Sequence, residues 1–244
     1  MFCILMESNG LRPSGSITED WRKGIILPFY KGKGSKHDCH NYRGITLLSV
    51  PGKAFARIVL TRVKDILVQS RRIQQSGFTR GRSTIERIAT LSLNMLHQTR
   101  REFSQPLWAA YVDLKAAFDS VDSNALWQLL TSLGLLPKIL SLFQGLYTDT
   151  TSCVRVDGCN SEWFPILTGV RQGCGVAPDL FLVPMDWLMV RTVHGGMVGT
   201  TIGKKKESFT DLDFADDVVL LSRYYWTVDN ANLLRFTRRS YHLD

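Results

Sequence analysis

The sequence predicts an α+β fold in which antiparallel strands are packed by helices, and three observations predict it. Two stretches, residues 110–121 and 209–222, carry apolar, strand-prone runs around aspartates; the second, F-T-D-L-D-F-A-D-D-V-V-L-L-S, alternates on either side of a tight A-D-D corner and reads as a β-hairpin. Longer stretches at 49–69, 83–96 and 122–133 instead repeat apolar residues at helical spacing behind capping residues. A third kind, residues 153–156 and 163–167 around Asp157-Gly158, reads as a further hairpin. With 244 residues, 44% of them hydrophobic, the chain can bury the core of one large domain or of two sublobes.

Taken in order, a polar Thr18-Glu19-Asp20 turn leads into an apolar run from Gly24 to Phe29, then K-G-K-G-S-K at 31–36, then N-Y-R-G-I-T-L-L at 41–48. This predicts two strands around a basic loop, which suits phosphate contact or a plain surface loop but lacks Walker A spacing. Ser49 caps a helix to about residue 69, with Pro51 in its first turn and Phe55, Ile58, Val59, Ile66 and Leu67 on the buried face. Q-S-G-F-T-R-G-R-S-T-I-E at 75–86 is a turn ending in a Ser83–Glu86 capping box, which opens a helix that buries Ile85, Ile88, Ala89, Met95 and Leu96. Arg80 and Arg82 stand just before that helix, where phosphates bind well. Asp122 or Ser123 caps the next helix, with Leu126, Leu129, Leu130 and Leu133 inward and Gly134 as its stop; another starts near Pro137 and runs through Leu140, Phe143 and Tyr147. Asp119 and Asp122 read as helix-start polar residues. A helix around 178–193 and a basic turn at 204–206 precede the acidic hairpin.

Charge is unevenly placed. Residues 1–108 carry 18 Lys and Arg against 7 Asp and Glu, whereas residues 109–244 carry 12 against 15. A basic half joined to an acid-bearing half suits a polyanion held by one and worked on by the other, or a solvated basic surface. Five cysteines, an odd number without a C-x-x-C pair, predict a reducing compartment. H-D-C-H at 37–40 is half of a zinc site at most, and a polar loop otherwise. Neither a signal peptide nor an apolar run of membrane-spanning length is present, which predicts an intracellular protein, nuclear or cytoplasmic, with no membrane partner.

Asp216 and Asp217 repel each other, so apolar strands carrying them need a cation at the corner or water at both carboxylates. A hard divalent ion with oxygen ligands is the natural cation. If the strand ending on Asp113 lies beside this hairpin, Asp113 joins them from 104 residues away along the chain, and three carboxylates then hold two metals. Such a pair of Mg2+ ions serves in-line phosphoryl displacement, the chemistry of polymerases and nucleases. A nuclease would also need a water-activating base, for which the chain offers no candidate beside the acids.

Six blocks occur in the order of a known family: W-R-K-G-I-I-L-P-F-Y-K-G-K-G-S-K from Trp21, N-Y-R-G-I-T-L-L from Asn41, Q-S-G-F-T-R-G-R-S-T from Gln75, Y-V-D-L-K-A-A-F-D from Tyr111, G-V-R-Q-G-C from Gly169 and F-A-D-D from Phe214. The chain resembles the reverse transcriptase domain of non-LTR (LINE-type) retrotransposons, and F-A-D-D rather than Y-x-D-D points to that branch. The resemblance implies a right-hand polymerase, with an extension at 1–16, fingers at 17–108, palm at 109–222 and a divergent tail at 223–244. It makes Asp113, Asp216 and Asp217 the catalytic, metal-holding carboxylates, with the backbone carbonyl of Leu114 completing one coordination shell. Two Mg2+ ions are implied, with Mn2+ able to replace them. Phe118 matches the family's bulky gate under the incoming sugar, which favours dNTP over rNTP; its other role is core packing. Gly169, Arg171, Gln172 and Gly173 match the block beneath the template and nascent base pair. Arg43 and Arg82 match basic finger positions near the triphosphate or template, joined by Lys31 and Lys33. The implied partners are an RNA template, a DNA primer and a dNTP.

Several features depart from the family pattern. After Ser222, R-Y-Y-W-T-V-D-N-A-N-L-L-R-F-T-R-R-S-Y-H-L-D replaces the later palm blocks, and the G-V-A-P run from Gly175 replaces P-L-S-P. These features lead to the expectation of a copy truncated after F-A-D-D, without a thumb. An active RNA-directed DNA polymerase domain and an incompetent remnant that survives as a basic nucleic-acid-binding module both fit the sequence.

Overall fold

The computed structural model describes residues 17–100, 108–193, 200–202 and 207–222, without the side chains of 94–100, 200–202, 207 and 208. The helices in chain order are α1 (Val50–Gln69), α2 (Thr84–Arg100), α3 (Ser123–Ser132), α4 (Pro137–Tyr147) and α5 (Ala177–Val193). The strands are β1 (Lys23–Tyr30), β2 (Tyr42–Leu48), β3 (Trp108–Asp113), β4 (Thr151–Val156), β5 (Cys159–Asn160) and β6 (Phe164–Pro165), followed by β7 (Thr200–Ile202), β8 (Glu207–Phe209), β9 (Asp211–Phe214) and β10 (Asp217–Ser222). They divide between two compact units. The first holds the described residues up to Gln69 together with Asp122–Leu180, and the second holds Ser70–Val121 and the described residues from Phe181 onward.

In the first unit β1 is antiparallel to β2, with Gly24 opposite Leu48 and Tyr30 opposite Tyr42, and parallel to β4 on its other edge. Short β5 and β6 pair antiparallel with β4. Asp157 and Gly158 make the tight turn between β4 and β5, both with positive φ, 49° and 82°, as a two-residue hairpin loop requires. Helix α1 buries Phe55, Ala56, Val59, Leu60, Val63 and Leu67, a stripe at helical spacing. Ile66, expected inward, is exposed, and Ile58 is half-buried, because the stripe centres one position away from them. Asp122 Oδ1 accepts the Ala125 N–H at 2.7 Å and so caps α3. Gly134, at φ 83°, ends the turn after α3, and Pro137 is the first residue of α4. Leu126, Leu130, Phe143 and Leu146 fill the core between these elements.

In the second unit β10 lies in the middle of the antiparallel sheet β3-β10-β9, and β7 pairs with β8. The described apolar core of this unit comes from Phe181, Leu182, Met185, Leu188 and Met189 of α5 and from Leu212, Val218, Leu220 and Leu221 of the hairpin. Helix α2 begins as expected, with the Glu86 N–H donating to Ser83 Oγ at 3.2 Å. Its buried face is not the expected one: Ile85 and Ile88 are 77% and 64% exposed, and Ala89 is exposed too. Arg87 decides the rotation by donating to the Ser76 hydroxyl and to the Ile73 carbonyl, so a polar anchor turns inward where apolar periodicity put isoleucines. Met95, Leu96 and the basic turn at 204–206 lie outside the described residues and side chains. Among the described residues, no helix is long and apolar enough to cross a membrane.

The cap on α3 gives a direct check. Asp122→Ala should lower stability by about 1 kcal/mol in urea denaturation, the usual cost of losing an N-cap acceptor.

Candidate active site

Strand β3 ends on Asp113, and its register partner is Asp217, the first residue of β10. Residues directly opposite in an antiparallel ladder project from the same face, so the two carboxylates share one end and one face of the sheet. Phe214 pairs with Asp217 on the other side, which leaves Ala215-Asp216 as a two-residue corner. Ala215 sits at φ 58°, a backbone state a non-glycine residue adopts only when its surroundings impose it. Asp113 and Asp217 are exposed and Asp216 is half-buried. Among the described residues no basic side chain pairs with Asp113 or Asp217.

Among the described residues no three Asp, Glu, His or Cys side chains form a ready-made metal cage. The donor set is nonetheless the chemistry of Mg2+, which is held by one or two carboxylates and completes its shell with water and phosphate oxygens. Like charges placed directly opposite each other destabilise a strand pair, and a bound cation removes that cost. Leu114 is half-buried, immediately after β3. Phe118 is half-buried, stacked on Phe181 with centroids 4.3 Å apart and edge-on to Phe78 at 6.1 Å. The ring therefore belongs to an aromatic cluster within the unit that carries the acids.

A second group of acids stands on the opposite face of the same sheet, and the sequence reading missed it. Asp211 and Asp213 of β9 are fully buried and meet one guanidinium, with Arg72 Nη2 at 2.7 Å from Asp211 and Arg72 Nη1 at 2.9 Å from Asp213. The Arg72 N–H also donates to Asp186 of α5 at 3.3 Å. Burial, followed by the neighbouring Asp211 carboxylate, pushes Asp213 well above the usual carboxylate range, against the pull of Arg72. Burial likewise raises Asp186, to about 6. The strict alternation D-L-D in F-T-D-L-D-F, together with Arg71-Arg72 ahead of the Q-S-G block, was the available signal.

The remaining predicted residues lie in the first unit, except Arg82. Arg82 pairs with Glu86 at 2.8 Å on α2. Arg43 is exposed on β2 opposite Phe29, Lys33 is exposed, and Lys31 Nζ donates to the His40 carbonyl at 2.9 Å. In H-D-C-H, His40 Nδ1 lies 2.9 Å from Asp38 and Cys39 is exposed, as in a polar loop. Arg171 donates to the main-chain carbonyls of Trp21 at 2.8 Å, Arg22 at 3.1 Å and Leu146 at 3.4 Å. Burial lowers its pKa, and its guanidinium ties the turn just ahead of β1 to α4. Gln172 is half-buried. Gly169 and Gly173 have φ of 92° and 100°.

Residues 33–231 match the family described as Reverse transcriptase (RNA-dependent DNA polymerase), whose members generally use divalent metal ions. The chain is 29% identical over 189 residues to the retrovirus-related Pol polyprotein from type-1 retrotransposable element R2 of Popillia japonica, covering 77% of this chain and 26% of that relative. It is 29% identical over 176 residues to the probable RNA-directed DNA polymerase from transposon BS of Drosophila melanogaster, covering 68% of this chain and 18% of that relative. The match thus spans about a quarter or less of each relative's length. Telomerase from Candida tropicalis, solved in complex with the TWJ fragment of telomeric RNA, shares the fold at a TM-score of 0.55 and 13% identity, covering 92% of this chain and 38% of that one. These findings bear out the α+β polymerase fold and the resemblance carried by the six blocks.

The buried acids make stability depend on pH in a stated direction. Asp186 holds its proton to a higher pH in the folded chain than when unfolded, so its contribution is fully present below about pH 4 and is lost as pH rises to about 6 and beyond. Asp186→Asn keeps an acceptor for Arg72 and removes the titration. It should exceed the natural chain in stability by about 3 kcal/mol at pH 7.5 and match it near pH 4, measured by urea denaturation across pH.

Proposed function

The chain belongs to the reverse transcriptase family, and from that premise we propose that it is an RNA-directed DNA polymerase domain of a non-LTR retroelement, with Asp113, Asp216 and Asp217 as its catalytic carboxylates. One observation carries the reading: the register that sets Asp113 opposite Asp217, beside Asp216 at the corner. Asp113, Asp216 and Asp217, with the Leu114 carbonyl, would hold two Mg2+ ions, or Mn2+ in their place. When bound, the ions lower the pKa of a primer 3′-hydroxyl and neutralise charge on the triphosphate and departing pyrophosphate.

The chain's own residues supply position and charge. Asp113 and Asp217 are set by strand pairing and Asp216 by the two-residue corner beside them, so a short, well-anchored turn rather than a long loop carries the third carboxylate. Phe118, braced by Phe181 and Phe78, gates the incoming sugar and excludes a 2′-hydroxyl by steric contact. Gly169 and Gly173 shape the backbone beneath the template, Gln172 offers donors and acceptors to a base or sugar edge, and Arg171 fixes that segment from behind. Arg43, Lys31 and Lys33, with Arg82, hold phosphates of template or triphosphate. In this reading residues 17–108 act as fingers and 109–222 as palm, with RNA as template, DNA as primer and dNTP as substrate.

Primer extension on an RNA template with Mg2+ and dNTPs tests the proposal. Incorporation should fall at least about 100-fold in Asp113→Asn and in Asp216→Asn, on the scale of losing a group that stabilises the transition state electrostatically. Salt-sensitive RNA binding without any extension would instead identify a binding module, a reading favoured by the excess of 18 basic over 7 acidic residues in 1–108. Phe118→Val should raise rNTP incorporation relative to dNTP at least about tenfold in single-nucleotide competition if the ring is the gate.

A further inference from the structure

The corner that carries Asp216 is held by a segment the polymerase reading leaves without a role. Residues 74–77 run alongside β9: the Ser76 N–H donates to the Asp213 carbonyl at 2.9 Å, and the Asp213 N–H donates to the Gln74 carbonyl at 3.2 Å. Between these backbone contacts the Gln75 side chain, only 2% exposed, reaches Ala215. Gln75 Oε1 accepts the Ala215 N–H at 2.8 Å and the Gly77 N–H at 2.7 Å, while Nε2 donates to the Ala215 carbonyl at 3.2 Å. The amide orientation is fixed by its partners, since the reversed form would set an NH2 against two N–H donors. One side chain thus supplies both an acceptor and a donor to a single residue, as a rung of a strand ladder would.

Steric fit makes the clamp specific. A Cβ on Gly77 would lie 2.2 Å from the Ala215 nitrogen and 2.7 Å from its Cα, so only glycine lets the segment approach this closely. Ala215 itself holds a φ of 58° without being glycine, which needs surrounding contacts that over-determine it. No other side chain replaces Gln75 well. Glutamate lacks the donor toward the Ala215 carbonyl, and leucine leaves two buried N–H groups and a carbonyl without partners.

We propose that Gln75 is a positioning residue for the acid pair Asp216-Asp217, acting through the Ala215 peptide, with Gly77 providing the clearance it needs. The clamp itself stands on geometry alone; its use in metal binding rests on the polymerase reading of the acids. Gln75 touches no reacting atom and sets the corner from which both carboxylates project.

The test uses the full chain and two readouts. Single-amide hydrogen exchange by NMR follows Ala215 and Gly77, with the Leu221 amide, which donates to the Thr210 carbonyl at 2.8 Å, reporting whether the sheet is intact. Mn2+ titration by EPR, with the metal alone as probe, follows the acids. In Gln75→Leu, exchange at Ala215 and Gly77 should rise at least about tenfold with Leu221 unchanged, and Mn2+ affinity should fall at least about tenfold. Ala215 exchange within about twofold of the natural chain, with Leu221 still protected, would overturn the clamp. An opened corner with undiminished Mn2+ affinity would overturn its positioning role. If Gln75→Leu also exposes Leu221, Gln75→Glu decides: its carboxylate keeps the acceptor, so Ala215 should stay protected at pH 7, and loss of that protection contradicts the proposal. Mn2+ affinity of the natural chain that ignores Asp216→Asn would defeat the polymerase reading of the acids, and with it the positioning role, while leaving the exchange result to judge the clamp.

Discussion

Everything at the acidic corner depends on the register of β10. This strand pairs on both sides, from Asp217 opposite Asp113 to Ser222 opposite Trp108, and buries Val218, Leu220 and Leu221. A slip of one residue would turn Val218 and Leu220 to the opposite face and move Asp217 onto the face that now holds Asp211 and Asp213. Ordinary hydrophobic burial therefore fixes where a charged residue stands, and the meeting of two aspartates distant in sequence needs no attraction between them. Their mutual repulsion is a local cost carried by a strand whose other contacts are favourable.

One sheet carries two acid groups with opposite fates. Directly opposed residues share a face, so Asp113 and Asp217 lie on the side of Tyr111, Leu212 and Phe214, whereas Asp211 and Asp213 lie on the side of Leu220, Val218 and Val112. Tyr111 is 69% exposed, while Asp211 and Asp213 are wholly buried. The packed face receives the guanidinium of Arg72, yet burial first, and then the neighbouring Asp211 carboxylate, still raises the pKa of Asp213. On the other face Leu212 and Leu221 are buried, but its Asp113–Asp217 end is exposed, and among the described residues no basic side chain pairs with those two carboxylates. The face of the strand that an acid occupies thus decides whether it meets Arg72.

Much of this was legible in the sequence, for identifiable reasons. The strands around residues 113 and 217, the helices at 50–69, 123–132 and 137–147 and the hairpin at Asp157-Gly158 announce themselves through alternation, helical spacing, caps and turn residues. The meeting of Asp113 with Asp217 was expected on the condition that their two strands lie side by side, with a cation or water needed to offset the repulsion, and the strand register meets that condition. Helix α2 defeated the same method, since its rotation is set by Arg87 bonding to Ser76 and Ile73, and hydrogen bonds leave no periodic trace. Arg72 and Gln75 escaped notice because their partners, Asp211, Asp213 and Ala215, are about 140 residues away, and a lone arginine or glutamine gives no local sign of burial.

The glycines show how a motif and its physical cause can differ. Gly173, matched by resemblance to a block beneath the template, invites the explanation that a nucleic acid must approach its backbone. A Cβ there would lie 2.2 Å from the Thr46 carbonyl oxygen, and the residue's φ of 100° already disfavours any side chain. Gly77 is barred from carrying a Cβ by the Ala215 backbone in the same way. At both positions the chain's own packing is sufficient to demand glycine, before any template or triphosphate is considered. Gly175, beside the first of them in sequence, has open space where its Cβ would be, so packing makes no comparable demand there. The glycines of these blocks therefore divide by cause, and internal close approach accounts for those that brace the segments around the acids and the β2 strand.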